Sequence, residues 1–197
     1  MSAVRRWSLT TKKLLASPGF FFENFNLREA YGFPLAYVLV SAFVGAAILG
    51  IVTVGASLAL DSGGPTSAAV AGGVVAASVF LLSLVGFLTR VVVAHVVVAV
   101  TAEGTFARTL EAFAYPTAAT MALGGVPVVG FVSPLYGYYL QYRGLGSFQG
   151  MDSGPAVAAI LLANLVSGVV LVVFVFVVLP LLVALGLLAV LAGTGVA

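Results

Sequence analysis

The chain has 197 residues, of which 14, or 7%, are charged; an average soluble domain carries roughly 25%. With 62% hydrophobic residues and a further 23 glycines, there is not enough polar surface to cover a water-soluble globule, and far too much apolar surface for a disordered chain. The composition points to an all-α integral membrane protein, a helical bundle of several spans. There are no cysteines and one histidine, His95. Disulfides, iron–sulfur clusters, cysteine–zinc sites and multi-histidine metal sites are thereby excluded. A net charge of +2 is too small for nucleic-acid binding. No metal, cofactor or nucleic-acid partner is expected.

Residues 1–32 read as a separate, cytoplasmic and interfacial segment. Arg5, Arg6, Lys12, Lys13 and Arg28 alternate with Trp7, Leu14, Leu15, Phe20, Phe21, Phe22 and Phe25, a mixture suited to the headgroup layer. Pro18-Gly19 should break the segment into two short pieces. Arg5-Arg6 is followed by Ser-Leu-Thr-Thr-Lys-Lys and not by an apolar run, so no export signal is expected and the segment should be retained.

Residues 33–197 read as the multi-span domain. A first span covers about residues 33–60, with Pro34 suited to its first turn. Asp61-Ser-Gly-Gly-Pro-Thr66 is a turn. A second span covers 67–89, and its helix should continue beyond the membrane through Arg90 and His95. Thr101-Ala-Glu-Gly-Thr105 is a polar joint, followed by a third span over 109–123. Gly124-Gly-Val-Pro127 turns the chain into a short fourth span over 128–142, which Pro134 and Gly137 should kink. Residues 141–154 read as a polar loop, and a fifth span covers 156–179. The apolar residues 180–197 are either a tail or a sixth span. Five spans are preferred, because no polar turn lies near Pro180. With the N-terminus in the cytoplasm, all eight Lys and Arg fall on the inner side, and an odd span count leaves the C-terminus outside.

Several polar positions stand out against this background. Arg90, His95, Glu103, Arg108 and Glu111 could line a polar cavity or proton path, since an ionisable group at mid-bilayer costs at least ~2.5–3.5 kcal/mol. The plainer expectation places all five at the cytoplasmic interface, with Arg90 snorkelling. Arg108 and Glu111, three apart, can pair locally, and Glu111 shares a helix face with Tyr115. Asn164, inside the fifth span, should bond a neighbouring helix. Tyr136, Tyr138, Tyr139 and Tyr142 read as an aromatic belt. Small residues recur at a spacing of four in Ala68/Gly72/Ala76, Ala69/Gly73/Ala77, Ala159/Ala163/Ser167 and Ser41/Gly45, which suits close packing within the bundle. No catalytic constellation is present in the sequence.

Some of these residues fall into a familiar layout. Pro18-Gly-Phe-Phe-Phe22 precedes the first span, and His95 lies near the end of the second helix. Glu103-Gly-Thr-Phe106, the stretch from Leu110 to Tyr115-Pro116, and Gly144-Leu145 leading to Ala156-Val-Ala-Ala159 follow. Over roughly residues 15–179 the chain resembles the Yip domain family of Ypt/Rab-GTPase-interacting membrane proteins, in its prokaryotic form. It lacks the acidic, proline-rich N-terminal region and the Asp-Leu-Tyr-Gly-Pro signature of the eukaryotic members, which puts GTPase binding in doubt. The resemblance implies five membrane helices and a cytoplasmic N-terminus. It also implies a non-enzymatic role in membrane organisation or protein sorting, through the bilayer and a membrane-protein partner or second copy. The alternative is a small transporter or channel built around Arg90, His95, Glu111 and Asn164.

Overall fold

A computed structural model describes residues 3–25, 29, 31–60, 64–178 and 180. The chain is a bundle of α-helices, with no strand among the described residues. Two short helices, α1 (Ala3–Ala16) and α2 (Pro18–Asn24), are divided at Ser17-Pro18 as the sequence suggests. Five longer ones follow: α3 (Gly32–Ala59), α4 (Gly64–Thr101), α5 (Phe106–Gly124), α6 (Pro127–Gln149) and α7 (Ser153–Val173), the last running into a wider π-helical turn, Phe174–Val178. The centre of the Asp61–Thr66 turn and the apolar residues 181–197 lie outside the described residues.

Three helices, Gly32–Ala59, Gly64–Thr101 and Ser153–Val177, are long and apolar enough to cross a membrane. The helix over 64–101 continues without a break through Arg90 and His95, as expected. Its 38 residues measure about 57 Å at 1.5 Å per residue, well beyond a ~30 Å hydrocarbon core. Helices α3 and α7 pack on either side of α4, and α5 packs on α3 and pairs with α6.

The α5–α6 pair is a hairpin. Its turn lies beside α3 where Gly125 approaches Ile48 and the Gly45 carbonyl, about three turns short of the α3 end. Prolines sit inside both of its helices without ending them. Pro116 removes the N–H that would bond the Ala112 carbonyl, and Pro134 does the same to Gly130. In the second case the Ser133 hydroxyl donates to the Gly130 oxygen at 3.3 Å. In the first, the Ala112 carbonyl faces Gly144 of α6, where an added Cβ would sit 2.9 Å from the oxygen. Helix α6 runs through Pro134 and Gly137, where a kink was expected, without interruption. The polar loop expected over 141–154 is also shorter: α6 runs on to Gln149 and stops at Gly150, whose φ of 64° ends the helix. Gln141 and Gln149 looked like loop residues because they are polar. They form part of the inner face of α6 and are buried.

The bundle carries apolar residues on its outer surface. Phe43, Ile51, Val74, Val96, Val100, Leu161 and Leu165 are exposed, while Ser41, Thr109, Glu111, Thr117, Gln141 and Ser167 are buried. The inward faces are marked by small residues. Gly50 and Gly72 bring α3 and α4 together so closely that a Cβ on Gly50 would lie 2.9 Å from the Gly72 carbonyl oxygen. Ala68, Ala159, Ala163 and Ser167 are likewise buried, so three of the four small-residue rows pack within the bundle. The fourth, Ala69/Gly73/Ala77, faces outward. Replacing Gly72 by Leu should lower stability by about 1–3 kcal/mol through overpacking. The same change at Gly73, whose Cβ meets nothing, should cost under ~0.5 kcal/mol. Reversible unfolding in mixed micelles would measure both.

Candidate functional site

The N-terminal helices are folded onto the bundle. The Trp7 indole donates to the Ser41 hydroxyl at 2.8 Å, and the Thr11 and Tyr37 hydroxyls share a bond of 2.5 Å. The Tyr136 hydroxyl donates to the Leu15 carbonyl at 3.0 Å. Leu14, Phe21 and Phe22 are buried, while Phe20 stays exposed. Most of the phenylalanine cluster is thus drawn into the bundle and not left for the headgroup layer.

The partners of those rings explain why. Tyr115, fully buried on α5, is surrounded by Phe21, Phe25, Phe33 and Tyr37, with ring centroids 5.9, 4.7, 6.3 and 5.7 Å away. Phe22 meets Phe148 of α6 edge-on at 5.5 Å. Such pairs contribute about 0.5–1.5 kcal/mol each beyond area burial. Two exposed ion pairs tie down the same segment: Glu29 with Arg108 at 2.6 Å and Glu23 with Arg143 at 3.6 Å. Arg108 therefore pairs across 79 residues, not with Glu111 one turn away. Glu23 and Glu29 had attracted no attention in the sequence, since no local spacing links them to their partners.

A second cluster joins the lower ends of α4, α5 and α6. His95 Nδ1 lies 3.1 Å from the Thr109 hydroxyl, which also accepts from Gln149 Nε2 at 2.7 Å. Gln149 Nε2 also donates to the Thr105 carbonyl at 3.1 Å. The His95 ring stands edge-on to Phe106 at 5.1 Å. This network holds the α4–α5 joint against the end of α6. Thr109 and Gln149 were not foreseen, because their role depends on which helices meet.

The third feature is a cavity of about 370 Å³ between α3, α4, α5 and α6, with one residue of α7 on its wall. Arg90 lines it together with Ser83, Thr117, Thr120, Ser133, Tyr138 and Gln141 on the polar side, and with Ala42, Ala46, Leu49, Leu82 and Leu171 on the apolar side. Arg90 Nε donates to the Gly86 carbonyl at 3.0 Å, an oxygen that also receives the Ser167 hydroxyl at 3.1 Å.

The structure separates the candidate positions. Arg90 alone lines the cavity; His95 belongs to the Thr109–Gln149 network. Glu111 is fully buried on α5. Glu103 is exposed in the joint after α4, and Pro116 is buried inside α5. Among the described residues Asn164 bonds no neighbouring helix; its amide donates to the Ile160 carbonyl of its own helix at 2.7 Å. An interhelical bond on α7 comes from Ser167. Of the four tyrosines read as a belt, Tyr136 reaches Leu15 and Tyr138 reaches the cavity. Arg90, His95, Glu111 and Asn164 thus do not converge on one site. Among the described residues no group of acidic or histidine side chains could hold a metal ion.

No family model, curated protein or solved structure matches this chain.

Thr109→Val should lower stability by about 1–3 kcal/mol, because the buried Gln149 amide loses an acceptor, whereas Arg108→Ala should cost under ~1 kcal/mol. Unfolding midpoints of the two variants would check this. Tyr115→Ala should cost about 3–5 kcal/mol and speed tryptic cleavage at Lys12 and Lys13 as α1 and α2 come away from the bundle.

Proposed function

We propose that the chain is a multi-pass integral membrane protein of Yip type, which acts without catalysis through contacts with lipid and a protein partner at the membrane. The observation that carries this reading is the way its motif residues meet. Phe21 and Phe22 of α2, Tyr115 of α5, Leu145 of α6, and Ala156 and Ala159 of α7 belong to one connected core. Gly144 lies against Ala112 and Phe22. Residues scattered over some 140 positions therefore hold one layer of the bundle together, which is what a shared scaffold needs and what a catalytic motif does not.

The outer side of α1 supplies a working surface. Trp7 and Leu14 turn toward the bundle, while Arg5, Lys12 and Lys13 are exposed. A docked helix with cations outward suits an anionic membrane surface or an acidic face of a partner. On this reading the three long apolar helices span the bilayer, the hairpin α5–α6 supplies the remaining two of five membrane helices, and the N-terminus is cytoplasmic.

A small transporter or channel is the second reading, favoured by the Arg90 cavity. Of the four residues expected around such a path, only Arg90 lines it.

The full chain should stay with membranes through carbonate extraction, and photo-crosslinking in membranes should capture a stoichiometric partner. Reversing Arg5, Lys12 and Lys13 to Glu should reduce that crosslink about a hundredfold or more, given ~1 kcal/mol for each basic residue near an anionic surface. Release by carbonate would overturn the membrane reading. A crosslink indifferent to charge reversal would remove α1 as the working surface, and Arg90-dependent solute flux in liposomes would favour the transporter.

A further inference from the structure

The polar groups of the Arg90 cavity are unevenly matched. The Arg90 guanidinium is pinned to the wall by its Nε bond to the Gly86 carbonyl. No carboxylate pairs with it among the described residues, where the ion pairs are Arg108–Glu29 and Arg143–Glu23. Elsewhere on the cavity wall, Gln141 is 1% exposed. Its Nε2 donates to the Thr117 hydroxyl at 3.1 Å, while its Oε1 has no hydrogen-bond partner among the described residues. A cation without a counter-charge and a buried acceptor without a donor are each costly in an apolar bundle. The cation, which lines the cavity, is satisfied by a ligand that carries a negative charge.

The walls indicate where such a ligand comes from. Helices α4 and α6 both line the cavity but do not form one of the packed helix pairs. The exposed neighbours of the lining positions on these two helices, Leu88, Val132 and Leu135, are apolar. A mostly apolar cavity that holds one cation, with an apolar rim outside it, fits a molecule that has a charged head and apolar tails. At about 370 Å³ the space is near the lower limit of ~300–1,000 Å³ for ligand pockets: room for a headgroup, not for a whole lipid.

We propose that this cavity binds the phosphate headgroup of an anionic glycerophospholipid. Arg90 takes the phosphate, and the acyl chains leave between α4 and α6. The proposal rests on the membrane reading above, and carbonate extraction tests that reading separately. A chain that stays in membranes but ignores lipid fails only here.

The test uses the full chain, purified and delipidated in a neutral detergent. Phosphatidylglycerol, phosphatidylcholine and inorganic phosphate are titrated in turn, with thermal stability and lipid retention in native mass spectrometry as readouts. Phosphatidylglycerol should be retained and should raise the melting temperature; the other two should do neither. Arg90→Gln should weaken phosphatidylglycerol binding about tenfold to a hundredfold, the usual effect of losing a charged hydrogen bond. Arg108→Gln, which makes the same charge change at the surface, should leave it unchanged. Ser83→Phe provides a second route, filling the cavity from α4 at a residue with no hydrogen bond among those described, and should also abolish retention. Equal protection by inorganic phosphate would reassign the site to a soluble anion and overturn the lipid source. Equal retention of phosphatidylcholine, or full binding by folded Arg90→Gln or Ser83→Phe protein, would overturn the site itself.

Discussion

A bundle that is apolar on its outer surface as well as in its core cannot use burial of apolar side chains alone to choose which helix faces turn inward. Here that choice is made by closeness of approach. Gly50 against Gly72, Gly45 against the Met121 carbonyl, and Gly125 against the Gly45 carbonyl bring backbones to distances that a side chain would forbid. Around these points inward positions such as Ser41, Ala42, Ala46, Ala68 and Ala118 are small, while Phe43, Ile51, Val70 and Val74 of the same helices as the first four face out. Dispersion contacts between close backbones and a small number of interhelical hydrogen bonds then hold the bundle, with Ser167 to Gly86 as the clearest case.

The α5–α6 hairpin is built from the same elements and adds two prolines. Each frees a carbonyl inside a helix: that of Gly130 accepts from the Ser133 hydroxyl, and that of Ala112 lies against the bare backbone of Gly144. A hydroxyl placed like that of Ser133 lets a helix carry proline inside an apolar bundle. It also shapes the interior. The hairpin turns beside Gly45 and Ile48, well below the end of α3, and α6 stands apart from α4. The space left between them is the Arg90 cavity.

The N-terminal helices close the opposite side. Aromatic packing around Tyr115 and Phe148 accounts for most of their attachment, because the two ion pairs, Glu29–Arg108 and Glu23–Arg143, are exposed and contribute little. The consequence is a division of charge. Arg108 and Arg143 have acidic partners at the surface; Lys12 and Lys13 face outward on α1; and Arg90 faces a cavity with no acidic partner among the described residues. Function is therefore to be sought on the outside of α1 and at Arg90.

Composition alone determined that this chain is helical and apolar: 14 charges in 197 residues leave few other folds. The break at Pro18, the start of α3 beside Pro34 and the unbroken run through Arg90 and His95 were also legible, since proline geometry and apolar runs act locally. The remainder depended on contacts between distant residues. Gln141 and Gln149 read as loop because polarity and burial are normally opposed, and only the partners Thr117, Thr105 and Thr109 make their burial tolerable. Arg108 seemed matched to Glu111 because local spacing is all that a sequence shows; tertiary structure gave it Glu29. Arg90, His95, Glu111 and Asn164 seemed to form one polar site because all are rare in apolar helices. The fold sends them to a cavity, a helix joint, the core and a local backbone bond. Helical period specifies the face of a residue on its own helix, but not which neighbour that face will meet.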